Sequence, residues 1–302
     1  MHIPDGFLSN RLAMSLDAVS AATVLYAARR AKVDTSGRMV PTMGVLAAFV
    51  FAAQLLNFPV LGGTSGHLVG GALLAILLGP MGALLTMATV IIAQALFLQD
   101  GGLIALGANI FNIGAVTVFS GYAVFKSLGG LRNTGRRLAV AGFLAGWFSL
   151  VVSSACAAFE LSLSGTIALR VGLPAMAGYH AVIGVAEGGL TAGILSFLAR
   201  VRPDLVSPRA RYRFGVADWI GALVLVAVPI LIFVLAGSSK LPDPLQSLLA
   251  SAVGSGSTAV GNPQSASSTT YVDYLWRVLF LIGFMAVAYL AARFASGRGK
   301  RA

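Results

Sequence analysis

Three nitrogen donors lie within the first two residues of the chain. They are the α-amine of Met1, the main-chain amide of His2 and the His2 imidazole, and together they can close fused chelate rings around one metal ion. The alternative is an incidental histidine on a disordered end, since chain termini are usually poorly ordered. The chain has only 3 histidines in all. One of the other two lies in a glycine-rich polar turn of an otherwise apolar sequence, which favours the metal site.

A second histidine, His67, stands in the glycine-rich stretch 61–71 of an otherwise apolar sequence. Glycines allow a close approach of the backbone, and Thr64 and Ser65 supply hydroxyl groups for hydrogen bonds around a ligand. We expect His67 in the first turn of a helix. The stretch alone is equally compatible with a surface loop whose histidine is solvated or packed against an aromatic ring.

The donor set indicates which ion such a site would hold. With His67 the Met1–His2 group offers four nitrogens, and tetragonal nitrogen sites suit Cu(II) or Ni(II), while cobalt(II) remains open. The site lacks the cysteines or the carboxylate cluster that would indicate zinc or calcium. Because amine and imidazole must lose protons to bind, we expect pH-dependent binding.

Four more polar residues lie near predicted helix ends or faces. Asp100 and Asn109 could orient a ligand histidine, since metal-bound imidazoles usually donate their second N–H to such groups. His180 and Glu187 are seven residues apart and share a helix face, which suggests a proton or metal path within the membrane. The alternative is that each of these side chains bonds only to a neighbouring helix.

Composition and segment length predict an all-α, polytopic membrane protein. Hydrophobic residues make up 57% of the chain and charged residues 10%, against about 25% charged in soluble domains. Nine segments are long enough to cross a bilayer, which takes roughly 17–25 apolar residues. They lie near 12–30, 40–57, 66–80, 82–99, 106–128, 138–159, 178–199, 217–236 and 272–294. The third is the weakest, because only the turn 79–82 separates it from the fourth.

The basic residues predict the orientation. Most of the 21 Lys and Arg residues fall in four clusters, at 29–38, 126–137, 200–213 and 293–301. With nine spans these clusters share one side, which the positive-inside rule makes cytoplasmic, so the N-terminus is outside and the C-terminus inside. The net charge of +11 therefore reflects topology and contact with anionic lipid, and nucleic acid is excluded as a partner.

The chain divides into two predicted domains. Residues 1–212 form a seven-span domain that carries the candidate metal ligands, and 213–302 form a two-helix hairpin with a flexible extracytoplasmic loop. That loop contains the Ser/Gly/Ala-rich run 251–257, which resembles a linker. The first ten residues lack the basic charge and cleavage site of a secretory signal, so we expect Met1 to be retained.

Three motifs together resemble one transporter family. The stretches 1–8 (MHIPDGFL), 63–71 (GTSGHLVGG) and 106–109 (LGAN) are similar to the nickel/cobalt substrate-binding (S) component of energy-coupling-factor ABC transporters, the CbiM/NikM family. The likeness covers about 1–210. The tail resembles the small two-helix partner subunit (NikN/CbiN-like) that some members carry as a fusion. It reads Pro-Asp-Pro-Leu-Gln at 242–246, where that subunit usually has Pro-Asp-Gly-Leu-Glu.

The resemblance implies a metal-uptake function in the plasma membrane. It implies Met1, His2 and His67 as ligands of a transported Ni²⁺ or Co²⁺ ion, and the fused hairpin favours nickel. A separate transmembrane coupling (T) protein and two cytoplasmic ATPases would be the partners. The chain itself is not expected to be an enzyme, since it contains no Gly-xxxx-Gly-Lys-Ser/Thr phosphate loop.

Two other classes of function are compatible with the sequence. One is an intramembrane metalloenzyme that uses His67, His180 and Glu187, although no His-Glu-x-x-His array is present. The other is a transporter or sensor for a small organic solute. Stoichiometric nickel or cobalt in the purified protein would separate both from metal uptake.

Overall fold

The computed structural model describes residues 1–31, 39–60, 64–132, 134–206 and 242–254, and this part of the chain is mostly helical. The longer helices are α1 (Asn10–Arg30), α2 (Met39–Leu55), α3 (Gly71–Ala93), α5 (Thr117–Ser127), α6 (Gly135–Leu163) and α7 (Leu169–Val201). The short ones are α4 (Leu106–Asn109), α8 (Pro203–Val206) and α9 (Pro244–Gly254). Strands β1 (Phe58–Val60) and β2 (Thr64–Gly66) pair antiparallel, with Pro59 opposite Ser65.

Four helices in the described ranges are long and apolar enough to cross a membrane. They are Gly71–Leu98, Leu106–Ser127, Gly135–Leu163 and Leu169–Val201, and α2 is a shorter apolar helix. The prediction of a helical membrane protein is therefore confirmed. The predicted spans 217–236 and 272–294, and the domain boundary at 212, lie outside the described residues, so the count of nine spans and the orientation stay predictions.

A break interrupts α3 where the sequence separates the predicted spans 66–80 and 82–99. Gly79 has φ 73° and ψ 161°, a left-handed conformation that favours glycine. Pro80 follows directly and has no N–H to donate to the preceding turn. Residues 71–78 alone form a segment of about 12 Å at 1.5 Å per residue, which is shorter than a bilayer core.

Close packing of α6 on α7 fixes the face of α7 that carries His180 and Glu187. A side chain at Gly188 would lie 2.6 Å from the main-chain oxygen of Phe143, so only glycine fits this approach. Trp147 Nε1 donates a hydrogen bond to the carbonyl of Ala181 at 2.9 Å. Small residues at a helix contact allow two backbones to come together in this way.

Helix α9 begins the segment that the sequence analysis describes as a flexible loop. Leu245 and Leu249 on this helix are buried, with 0% and 4% of their surface exposed, and the helix contacts α7 and β2. The amide of Ser65 in β2 donates to the carbonyl of Pro242 at 2.8 Å. At least this part of the tail is therefore packed against the first 206 residues.

Candidate metal centre

The first three residues of the chain are buried and held in place. Met1, His2 and Ile3 have 2%, 6% and 0% of their surface exposed. Asn109, at the end of α4, pairs with the main chain of Ile3: its Oδ1 accepts from Ile3 N at 2.7 Å and its Nδ2 donates to Ile3 O at 3.0 Å. Asn109 thus fixes the backbone beside His2.

A second anchor of the terminus is the carboxylate of Asp5. It accepts hydrogen bonds from the amides of Leu103, Ile104 and Ala105, at 3.0, 2.8 and 3.1 Å. These donors directly precede α4, where helix N–H groups lack partners within the helix. Asp5 and Asn109 together hold the N-terminal segment at the start of the Leu106–Ser127 span.

The α-amine of Met1 lies between an imidazole and a carboxylate. Its nitrogen is 2.9 Å from His67 Nε2 and 2.9 Å from Asp243 Oδ2. The contact with His67 joins residues that are 66 positions apart, and the contact with Asp243 joins positions that are 242 apart. The structure therefore brings together two of the donors that the sequence analysis names, the amine and His67.

His67 presents one nitrogen to the amine and uses the other for its own main chain. Its Nδ1 lies 3.1 Å from the carbonyl oxygen of Leu68, a contact that places the proton on Nδ1 and leaves the Nε2 lone pair for the amine or for a metal. Burial, and next the positive charge of the amine, lower the pKa of His67. The imidazole is therefore neutral at pH 7, which is its metal-binding form.

Glu187 holds the turn that carries His67. Its Oε2 accepts from Val69 N at 2.8 Å and its Oε1 from Gly70 N at 2.7 Å. Gln54 Nε2 donates to the carbonyl of Val69 at 2.8 Å. Both carboxylate oxygens of Glu187 thus accept hydrogen bonds from the backbone just before α3, which fixes the turn after His67.

The His2 ring stacks on that of His67, with centroids 5.6 Å apart and planes at 19°. Its Nδ1, the nitrogen that closes a chelate ring with the His2 amide, lies 3.3 Å from Asp100 Oδ1. Burial lowers the pKa of His2, against the opposing charge of Asp100. Chelation through Nδ1 would replace the contact with Asp100.

The other nitrogen of His2 faces a polar neighbour, Gln94, without a well-formed hydrogen bond. Its buried Nε2 makes no hydrogen bond of standard geometry among the described residues, and neither does the side-chain amide of Gln94, although that amide lies close enough to the His2 ring to interact with it. Gln94 lies in a π-helical turn (Gln94–Leu98) that extends α3, and such turns are frequent at functional sites. Unpaired buried polar groups in a native structure are uncommon and call for an explanation.

The remaining predicted residues have different positions. His180 lines a small cavity with Met1, His67 and Asp243, and its Nδ1 lies 2.8 Å from the carbonyl oxygen of Met176. Ser65 is buried in the same lining. For Thr64 the structure describes only the backbone, which pairs with Val60.

Sequence reasoning missed Asp243 as part of this site. Although burial alone would raise the pKa of Asp243, the charge of the amine and the N–H of Gln246 hold it below its usual value, so the carboxylate is charged. The sequence did carry a signal for a helix here, since Asp followed three residues later by Gln resembles a capping box. Nothing in the spacing indicates contact with Met1.

A buried polar pair farther along the bundle was also missed. Asn112 Nδ2, in the π-helical turn Ile110–Val116, donates to Glu160 Oε2 at 2.6 Å. Ser153 Oγ donates to the main-chain oxygen of Asn112 at 2.7 Å and lies 4.0 Å from the Met1 sulfur. The pair is only partly satisfied, because Asn112 Oδ1 and Glu160 Oε1 are buried without a hydrogen-bond partner among the described residues, and such burial costs free energy.

In the arrangement that the structure shows, no three His, Cys, Asp or Glu side chains of the described ranges are placed to hold a metal ion together. The candidate centre instead combines the Met1 amine with the His67 imidazole. An amine next to a His2 amide and imidazole supplies nitrogen donors from the main chain as well as from side chains. The arrangement can therefore bind a nitrogen-preferring transition-metal ion.

Comparison with known proteins gives consistent matches. A family model described as the cobalt uptake substrate-specific transmembrane region matches residues 2–205. A relative from Haloquadratum walsbyi is named as a putative metal transport protein. It is 43% identical over 208 residues, which cover 68% of this chain and 93% of the relative's length. The fused nickel transport protein of Rhodobacter capsulatus is 35% identical over 228 residues, 69% of this chain and 65% of its own. The crystal structure of a transition metal transporter has a TM-score of 0.61 and 30% identity, covering 67% of this chain and 93% of its own.

Proposed function

Because the chain belongs to the CbiM family of cobalt-uptake substrate-specific transmembrane regions, we propose that it captures a nickel or cobalt ion for uptake across the cell inner (plasma) membrane. It acts as the substrate-specific component of an energy-coupling-factor transporter. The observation that carries the proposal is the buried Met1 amine, 2.9 Å from Nε2 of His67. A free terminal amine at the centre of a buried site is uncommon, since termini are usually exposed.

The ion binds through four nitrogens in this proposal. They are the Met1 amine, the His2 amide, His2 Nδ1 and His67 Nε2. Binding displaces the ammonium proton and the amide proton to water, so affinity falls at low pH. The anchoring of Ile3 by Asn109 and of the Val69–Gly70 turn by Glu187 supports a site that is organised before the ion arrives.

When His2 turns Nδ1 onto the ion, its Nε2 carries the remaining ring proton. The side-chain amide of Gln94, which interacts with this ring but makes no hydrogen bond of standard geometry, then accepts a hydrogen bond from that N–H through its oxygen. Metal-bound imidazoles normally donate their second N–H in this way. Asp100, which loses its contact with Nδ1, is the more exposed carboxylate of the site, with 40% of its side chain accessible.

The topology belongs to the same proposal. Nine spans place the N-terminus and the ion site on the extracytoplasmic side, and the basic clusters inside. Residues 1–212 form the metal-binding domain and 213–302 the hairpin domain. A transmembrane coupling protein and two cytoplasmic ATPases supply the energy, and the resemblance of the tail to the fused small subunit favours nickel over cobalt.

Competitive uptake tests this function. Cells that express the chain together with a coupling protein and ATPases of the same class should accumulate nickel or cobalt well above cells without the chain. When both ions are offered at equal concentration, nickel should be taken up in preference. Accumulation of neither ion, together with purified protein that holds no nickel or cobalt, would contradict metal uptake.

Removal of the tail should separate binding from transport. A chain ending at residue 212 should remain folded and still hold metal, because the amine, His2 and His67 are all retained, but it should bind more weakly, because Asp243 beside the amine is lost. Transport in vesicles with the complete energised complex should fall by about 10-fold or more, because helix α9 packs beside the ion site and we assign the tail a role in loading or release. Transport at the full rate would make the tail a membrane anchor only.

A further inference from the structure

Asp243 joins the chain terminus to helix α9 through one carboxylate. Its Oδ2 lies 2.9 Å from the Met1 amine, while its Oδ1 accepts from Gln246 N at 2.7 Å. The amide of Asp243 in turn donates to Gln246 Oε1 at 3.1 Å. This reciprocal pair is a capping box that begins the helix, so the position of the carboxylate is fixed by the helix as well as by the amine.

The surroundings make Asp243 a built part of the ion site. Pro242 accepts the hydrogen bond of Ser65 at 2.8 Å, next to the turn that carries His67. Pro244 lines the same cavity as Met1 and His67. The next residue, Leu245, is fully buried. The side chain of Asp243 is 15% exposed, so its charge is largely removed from water.

Charge neutrality gives this carboxylate a role once the ion is bound. A divalent ion on a neutral amine, two neutral imidazoles and one deprotonated amide leaves a single positive charge in a buried site. An unpaired buried charge is costly. Before binding, the ammonium carries that charge and Asp243 pairs with it. Because Asp243 Oδ2 lies 2.9 Å from the Met1 nitrogen, which is itself a proposed ligand, it is the carboxylate oxygen placed to balance the charge of the bound ion.

We propose that Asp243 is a further ligand of the transported ion, an apical carboxylate oxygen that binds above the four nitrogens and neutralises the loaded site. The inference rests on the proposed function and adds a donor that its nitrogen set does not contain. Because Oδ1 of the same carboxylate caps helix α9, occupancy of the site is coupled directly to the position of this helix. The ion then leaves only when Asp243 withdraws from it.

The test uses the purified full-length chain and its Asp243→Asn variant, titrated with NiCl₂. Asparagine caps helices as well as aspartate and keeps the shape, so the variant removes the charge and the strong donor only. We expect Ni²⁺ binding to weaken by at least about 10-fold. Loss of a group that only hydrogen-bonds to a metal ligand already costs about that much. The visible absorption band of bound Ni²⁺ should move to higher energy, because a planar nitrogen field without an apical oxygen is stronger.

Two further variants make the result decisive. Asp243→Ser keeps a capping oxygen without charge and should behave like Asp243→Asn. If one of these two variants does not fold, the other still tests the proposal. Gln246→Ala keeps the carboxylate and should retain the wild-type band. An unchanged affinity, or weaker binding with an unchanged band, would overturn the ligand role. Absence of Ni²⁺ binding by the wild-type chain would instead contradict the proposed function itself.

Discussion

A chain with one extra glycine before Met1 should bind Ni²⁺ at least about 100-fold more weakly than the wild-type chain. In the wild-type chain the Met1 amine lies 2.9 Å from His67 Nε2. The extension converts this amine into an amide and places the new amine farther from His67. Loss of partners outside the ligand set already costs 10–100-fold, and here a ligand itself is lost. The measurement is Ni²⁺ titration of both purified proteins at equal pH.

The matched control is a glycine added after Ala302, which changes the length equally and leaves the amine free. It should bind as the wild type does. Because Met1 is almost fully buried, the extended chain must also be shown to fold, by its thermal unfolding midpoint in detergent. Wild-type affinity in the extended, folded chain would rule out the terminal amine as a ligand.

Replacement of His67 should have the second large effect. His67→Ala removes the Nε2 that faces the amine, and we expect Ni²⁺ affinity to fall by about 100-fold or more. The fold should survive, because Glu187 holds the turn through the backbone of Val69 and Gly70, which the substitution leaves in place. Titration calorimetry on the purified variant measures the loss.

His180→Ala is the matched control for His67→Ala, since it deletes an imidazole from the same cavity. His180 Nδ1 already contacts the Met176 carbonyl within its own helix, and we give the residue no direct bond to the ion. Its replacement should therefore reduce affinity by less than about 10-fold. Equal losses in the two variants would mean that the fourth ligand is wrongly assigned.

Local sequence patterns were sufficient for the long helices and for the break in α3, but not for α9, nor for the start of α3, which begins at Gly71 and leaves His67 outside its first turn. Apolar length predicts the spans that begin near residues 106 and 138, and the Gly79–Pro80 pair predicts where α3 is interrupted, because both effects act over a few neighbouring residues. The β1–β2 hairpin was missed. Its strands are three residues long and too short to show a period.

Some residues of the candidate site could likewise be predicted from the sequence, and others could not. Met1, His2 and His67 can be selected by residue type, because nitrogen donors are scarce in this chain. The roles of Asn109 and Glu187 could not be predicted from residue type, since each side chain binds the backbone of a distant part of the chain. Asp243 reaches the amine across 242 positions, and contacts of that range depend on tertiary packing, which no periodicity records.

The most direct test of the account is the position of the metal itself. Crystals of the full-length chain loaded with Ni²⁺ should give one strong anomalous difference peak at the nickel edge. We expect that peak within bonding distance of the Met1 amine, the His2 amide and imidazole, and His67 Nε2. A peak that is bonded to His180 or to surface carboxylates, with the Met1 amine still paired to Asp243 and away from the metal, would contradict the account.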